Sequence, residues 1–205
     1  MRTKILLQEL IGLADAYDAT VPENENLSMD DFIFFLNRNN AKPSDDMLLV
    51  DIAKNISLLH RYSKFYLKKV LKGTLLQTVD EYSYLICLYY NTSYTKTELN
   101  NMNAMEKTSG NEVIRRLLNS QLVKEQQDPS DKRSMRISIT EMGKAEIEKI
   151  FPGLSKVAII LSGAITDGEK AVLNKSLDSL CDYHHAVFTG QKNSTIDDIL
   201  NKMPV

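Results

Sequence analysis

The sequence predicts a mainly α-helical chain carrying one small β-hairpin, and three observations lead there. The Ser/Thr-x-x-Glu capping box, in which two side chains satisfy orphan amides at a helix start, recurs along the chain. Apolar residues return at three- and four-residue steps over long stretches on both sides of the middle. Between them the segment Leu122 to Gly143, LVKEQQDPSDKRSMRISITEMG, switches to strand periodicity around a turn.

The helices follow in order. A first one fits Thr3 to Ala19, and Pro22 with Glu23, Asn24, Glu25 and Asn26 breaks it. Ser28 with Asp31 is a weaker capping pair and starts a second helix near Asp30 to Asn39, and a second break follows at Asn39 to Ser44, around Pro43. From Asp45 to about Leu71 the positions Ile52, Ile56, Leu59, Ser63, Tyr66 and Val70 describe one long amphipathic helix. Thr78 with Glu81, Thr95 with Glu98, Ser109 with Glu112 and Thr166 with Glu169 mark four further starts, and Thr195 with Asp198 marks a short terminal helix. Two more apolar stripes follow, at Ile147, Ile150, Leu154, Val157 and Leu161, and at Leu173, Leu177, Leu180, His184 and Val187. No repeat or low-complexity segment is present.

In the hairpin, Leu122 and Val123 open one strand, Asp128, Pro129, Ser130 and Asp131 supply turn chemistry, and Arg136 to Ile139 alternate as the second strand. Ile137 and Ile139 then share the core face, and Thr140 caps the next helix through its hydroxyl. Lys132 and Arg133 project from the tip, where two cations do nothing for folding but suit phosphates or a minor groove. A solvated turn charge is the alternative. A hairpin with a charged tip that runs straight into a helix reads as the wing of a winged helix.

The order Asp131-Lys132-Arg133, a strand, Ile139-Thr140 and Gly143 resembles the wing signature of the multiple antibiotic resistance regulator (MarR) family, and Tyr94 to Val123 resembles its helix-turn-helix. The resemblance covers roughly Asp45 to Phe188. It implies a winged helix-turn-helix with N- and C-terminal dimerisation helices, organised as a long dimerisation helix over 45–76, a DNA-binding lobe over 77–143 and C-terminal dimerisation helices over 144–190. The flanks, a helical extension over 1–44 and a tail with a short helix over 191–205, lie outside it and inherit nothing from it. It further implies a homodimer on double-stranded DNA, with Arg133 inserted in the minor groove and its guanidinium oriented by a bidentate pair with Asp131. Periodicity alone leaves open whether the terminal stripes pack between two chains or within one. The chain departs from the family at Gln121, where glycine is frequent between recognition helix and wing, and at Gln126, where a base is common.

A helix from Ser109 to about Asn119, SGNEVIRRLLN, turns Gly110, Val113, Ile114 and Leu117 to one side and Asn111, Glu112 and Arg115 to the other. Gly110 lowers helix propensity by roughly 1 kcal/mol against alanine, which fits close packing of a preceding helix over Thr95 to Met105. In a helix-turn-helix the second helix enters the major groove with its N-terminal residues nearest the base edges. Lys107, Thr108, Ser109, Asn111 and Arg115 are the candidate readers, and Lys96, Lys132, Arg133 and Arg136 the flanking cations. Asparagine pairs with adenine and arginine with guanine; which contacts form stays open. Glu112 is read as the reciprocal partner of Ser109 in a capping box, against the alternative of an acceptor for a cytosine amino group.

Composition narrows the function. The chain of 205 residues has an ordinary apolar share of 43% and fits one domain or a domain with an extension. The formal charge of −2 excludes a coat of basic residues, so any nucleic-acid attraction is local. Lys96, Lys107, Arg115, Arg116, Lys124, Lys132, Arg133 and Arg136 crowd the middle of the chain. Gln8, Glu9 and Asp15 interrupt the first apolar stretch, which excludes a signal-peptide run or a membrane span there and leaves the cytoplasm as the expected compartment. Cys87 and Cys181 lie in apolar helical patterns outside any CxxC and are read as reduced and structural.

Regulators of the resembled family often take small aromatic acids. Tyr62, Phe65, Tyr66, Tyr82 and Tyr84, with His60, Arg61 or Lys64 for an anion, could line such a cleft. Aromatic residues at helical spacing are more often core, so a small aromatic or anionic ligand is carried forward with no residue assigned to it. His60 is isolated and His184 and His185 face different ways, so no metal or cofactor is expected. GxSxG, Walker and HExxH patterns are absent and the eight glycines are scattered, so no enzyme is expected. A different class of function, a protein-interaction module on the same scaffold, is suggested by the apolar run Phe32, Phe34, Phe35 and Leu36 in the extension.

Overall fold

A computed structural model describes residues 2–22, 28–29, 32–33, 35–36, 45–91 and 93–203. The chain divides into two units, Met1–Leu58 and Leu59–Val205. The first contains α1 (Arg2–Asp18), helical residues at Phe32, Ile33, Phe35 and Leu36, and the start of α2 (Asp45–Val70), which continues into the second. The predicted Ser28–Asp31 cap and Phe34 fall outside the described residues.

Within the first unit, the ring of Tyr17 on α1 lies 5.4 Å from both Phe32 and Phe35, and those two rings stack at 6.5 Å. The apolar run of the extension thus finds a partner inside its own unit. On α1 itself, Ile5, Leu6, Leu7, Leu10 and Ile11 remain exposed.

The second unit adds α3 (Val79–Tyr90), β1 (Tyr94–Thr95), α4 (Lys96–Met102), α5 (Lys107–Asn119), β2 (Val123–Gln127), β3 (Met135–Ile139), α6 (Glu141–Ser162), α7 (Asp167–Gly190) and α8 (Ile196–Asn201). The sheet is antiparallel in the order β1-β3-β2, with Val123 opposite Ile139, Gln127 opposite Met135 and Tyr94 opposite Ile137. Two-residue β1 went unseen in the sequence because a strand that short has no periodicity to read.

Threonines set the helix starts. Thr78, Thr95, Thr166 and Thr195 each close a capping box, and the Thr140 hydroxyl accepts from the Gly143 N–H at the start of α6. The expected Ser109–Glu112 box does not form. The helix begins two residues earlier, at Lys107, with Glu106 at the cap and no side-chain cap bond. Ser109 is therefore already helical, and the Glu112 carboxylate goes to Arg115 instead.

The core gathers where α3, α5, the wing and α6 meet: Tyr84, Leu85 and Leu88, then Ile114 and Leu117, then Leu122 and Ile137, then Ile147 and Ile150 are all buried. Gly143 is required there, since a Cβ would collide with the Leu122 carbonyl oxygen. Outside this core the predicted stripes stay open. Helix α7 buries none of its residues, leaving Val172, Leu173, Leu177 and Leu180 exposed, as are Ile52, Ile56 and Leu59 on α2 and Ile159 and Ile160 on α6. Among the described residues no single helix is long and apolar enough to cross a membrane.

Helix α5 ends in a Schellman motif: the Leu122 N–H donates to the Leu117 carbonyl at 3.1 Å and the Gln121 N–H to the Leu118 carbonyl at 3.0 Å. Gln121 holds the left-handed position with φ of 58°. A side chain there costs about 1 kcal/mol that glycine avoids. Gln121→Gly should therefore raise the urea midpoint by about 1 kcal/mol of stability or somewhat less, whereas Gln121→Val should lower it; an unchanged midpoint in both would contradict strain at this turn.

Candidate nucleic-acid interface

Helix α5 is seated on α4 through the missing side chain of Gly110. A Cβ there would run into the Asn100 carboxamide and come within 2.5 Å of the Tyr84 hydroxyl. That hydroxyl donates to Asn100 Oδ1 at 3.0 Å, and Asn100 Nδ2 donates to Asn111 Oδ1 at 3.3 Å. Burial first, then Asp80 and Cys87, push the Tyr84 phenol up to about 12, so it stays a donor at physiological pH. The close approach expected from Gly110 is present, and it involves α3 as well as α4.

From this seat the first turn of α5 presents Lys107, Thr108 and Ser109 as exposed side chains. Asn111, half-buried, has its carboxamide held against α4. Arg115 is exposed but not unpaired: its Nε donates to Glu112 Oε2 at 2.9 Å and its Nη2 to Glu112 Oε1 at 2.6 Å. Lys96 pairs with Glu125 at 2.9 Å, joining α4 to the wing.

The wing rests on an ion pair the sequence did not suggest. Asp128 Oδ1 accepts from the Ser130 N–H at 2.8 Å, the Ser130 hydroxyl at 2.6 Å and the Asp131 N–H at 3.3 Å. Its Oδ2 takes Arg136 Nη1 at 3.0 Å. Arg136 Nε and Nη2 reach the Ser93 hydroxyl at 2.9 Å and the Ser93 carbonyl at 2.8 Å, bolting the hairpin to the segment before β1. Arg136, expected among the DNA-contacting cations, is half-buried, with its guanidinium bonded to Ser93 and Asp128 and 3.7 Å from the Glu98 carboxylate. Ser130, first, and then Arg136 hold the Asp128 carboxyl well below the usual carboxylate range.

At the tip, the expected Asp131–Arg133 side-chain pair takes another form. Asp131 Oδ1 accepts the Arg133 backbone N–H at 3.0 Å, and Gln127 Nε2 donates to the Lys132 carbonyl at 2.7 Å. The turn is fixed through its backbone, and the Lys132 and Arg133 side chains stay exposed, with no ion pair among the described residues. A second pair also escaped the sequence: Arg116 Nε donates to Glu81 Oε1 at 2.6 Å across 35 positions. Glu81 was legible as a capping residue; nothing in its spacing points to Arg116.

Elsewhere, burial pushes the Cys87 thiol up, against a reactive thiolate. Cys181 is exposed on α7, so the structural role read for it is not supported within one chain. The aromatic set proposed for a ligand cleft is dispersed: Tyr62 and Phe65 are exposed and Tyr84 is buried in the core. A cleft of about 460 Å³ is lined instead by Tyr89, Tyr90, Lys124, Ser138, Ile139 and Lys144 among others.

Residues 85–143 match the family described as Winged helix DNA-binding domain. A MarR transcriptional regulator from Methanosarcina mazei is 24% identical, with a TM-score of 0.60 over 66% of this chain and 97% of its own. A mutant MarR from E. coli complexed with operator DNA is 19% identical, with a TM-score of 0.60 over 67% of this chain and 98% of its own. BpsR of Bordetella bronchiseptica, whose DNA binding is regulated by 6-hydroxynicotinic acid, is 17% identical, with a TM-score of 0.59 over 64% and 98%. No curated protein matches the sequence. The matched segment has the winged-helix fold, and the fold is similar to that of the MarR-type transcriptional regulators.

The wing bolt has a pH signature. The folded Asp128 carboxyl titrates below its unfolded counterpart, so its pairing stabilises above the ordinary carboxylate pKa and is lost as pH falls through the folded value. Asp128→Asn should lower the thermal midpoint at neutral pH, and the gap from the parent should close progressively below about pH 4; a gap that does not narrow in acid would exclude this pair as its source.

Proposed function

We propose that the chain is a cytoplasmic, sequence-specific transcriptional regulator, a repressor that binds a pseudo-palindromic operator as a homodimer. The observation that carries this reading is the pairing of an open recognition-helix start, Lys107 to Ser109, with a rigid wing tip whose Lys132 and Arg133 are unpaired among the described residues. Cations left exposed on a backbone-fixed turn are organised for phosphates or a minor groove. Two recognition helices would occupy successive major grooves, with half-sites about 34 Å apart.

The second copy is supported by the apolar faces that one chain leaves open on α2 and α7. Leu59 on α2 and Leu173, Leu177 and Leu180 on α7 are too many apolar side chains for a monomer to keep in water. The regulation of the Bordetella relative makes a small aromatic acid the ligand class to test, and no residue of this chain is assigned to it.

Two outcomes follow. Fluorescence anisotropy against tiled duplexes from the DNA flanking the gene should find one tight site whose affinity falls with salt at a slope near −0.9 per neutralised phosphate. Arg133→Glu should abolish that binding, and equal affinity for every tile would sink the operator reading. Sedimentation at micromolar concentration should give twice the 23.3 kDa chain mass, and replacing Leu173 and Leu177 by Glu should shift it toward the monomer; a monomeric parent protein would remove the dimer from the proposal.

A further inference from the structure

Resting on the DNA-binding reading above, we propose that Glu112 is a positioning residue for base recognition: it clamps Arg115 so that only one edge of the guanidinium is free for the major groove. The clamp takes Nε and Nη2 of Arg115 at 2.9 and 2.6 Å. What remains is the Nη1 and Nη2 edge, whose parallel donors match the O6 and N7 acceptors of guanine.

The clamp is itself held from the protein side. Arg116 Nη1 lies 3.7 Å from Glu112 Oε1, while Arg116 Nε is fixed on Glu81 Oε1 at 2.6 Å. Glu81 has a side chain only 4% exposed. Its other oxygen accepts the N–H groups of Gln77 at 2.6 Å and Thr78 at 3.2 Å. A buried acid anchors Arg116, Arg116 flanks Glu112, and Glu112 fixes Arg115. The Arg115 hydrogen bond lowers the Glu112 carboxyl from its ordinary value, in keeping with a pair that is charged on both sides.

This arrangement favours specificity over raw affinity. An unclamped arginine on an exposed helix can swing to any phosphate. Tied to Glu112 it presents a locally neutral unit, and the acid repels phosphate oxygens, so the gain is confined to a base edge that offers two acceptors. With side chains 62% and 45% exposed, the pair contributes little to folding. Its placement therefore points to recognition rather than stability.

The test uses the full chain and a pool of randomised DNA duplexes, selected for binding and sequenced, with Glu112→Gln and Arg115→Ala alongside the parent. The parent should enrich a motif with a guanine preference that Arg115→Ala loses. Glu112→Gln should weaken that same preference roughly fivefold or more, leave the other positions intact, bind unselected duplex more tightly, and melt at the parent's temperature. A Glu112→Gln profile identical to the parent's, or weakened equally at every position, would overturn the positioning role. Failure of the parent to enrich any motif would overturn the DNA-binding reading and this inference with it.

Discussion

The hydrogen bond from the Tyr84 hydroxyl to Asn100, packed against a residue with no side chain, is the contact on which the seating of α5 depends. Tyr84 belongs to α3, Asn100 to α4 and Gly110 to α5, so three helices meet at one buried polar point. A buried phenol and a buried carboxamide must each find a partner; they find one another, and the pair fills the space a Cβ at position 110 would take, so α5 comes this close only with a glycine there. The angle at which the recognition helix projects is thereby set by satisfied polar atoms, which tolerate less drift than apolar packing alone.

Electrostatics on this surface is sparing. Arg116, Arg136, Lys96 and Arg115 all sit in the basic middle of the chain, yet each is matched to an acid: Glu81, Asp128, Glu125 and Glu112 in turn. Lys107, Lys124, Lys132 and Arg133 are left without an ion pair among the described residues. A surface with so few uncommitted cations offers little counterion release. The same pairs that neutralise charge also build the parts: one fastens the wing, one ties α3 to α5, one joins α4 to the wing.

Much of this architecture was legible in the sequence because it is local. Thr78, Thr95, Thr166 and Thr195 announce helix starts through side chains three residues apart, and the wing declares itself by a change of period around Asp128 to Asp131. Gly110 was legible as a close approach, although the sequence named only one of its two neighbours. Ser109 and Glu112 misled for an instructive reason: the spacing is that of a capping box, but an earlier start at Lys107 turns the same spacing into a helix interior, where the carboxylate is free for Arg115. Arg136 was read by its charge alone; Asp128 becomes its neighbour when β2 pairs with β3, and Ser93 only once β1 pairs with β3 as well. Ion pairs across 35 positions carry no periodic signal, so Arg116 and Glu81 could be read singly and never together.

The open faces of α2 and α7 bear on how such a surface would be regulated. The winged-helix segment has its own buried core, running from Tyr84 to Ile150. Helix α7 has none of its residues fully buried within the chain. If the second copy covers these apolar stripes, the separation of two recognition helices is set by the packing of terminal helices, while the fidelity of each helix is set by Gly110 and the acids around Arg115 and Arg116. Anything that alters the terminal packing would change which half-site spacing fits and leave the reading of each half-site untouched. Spacing and reading would then be separable, because different residues, in different parts of the chain, carry them.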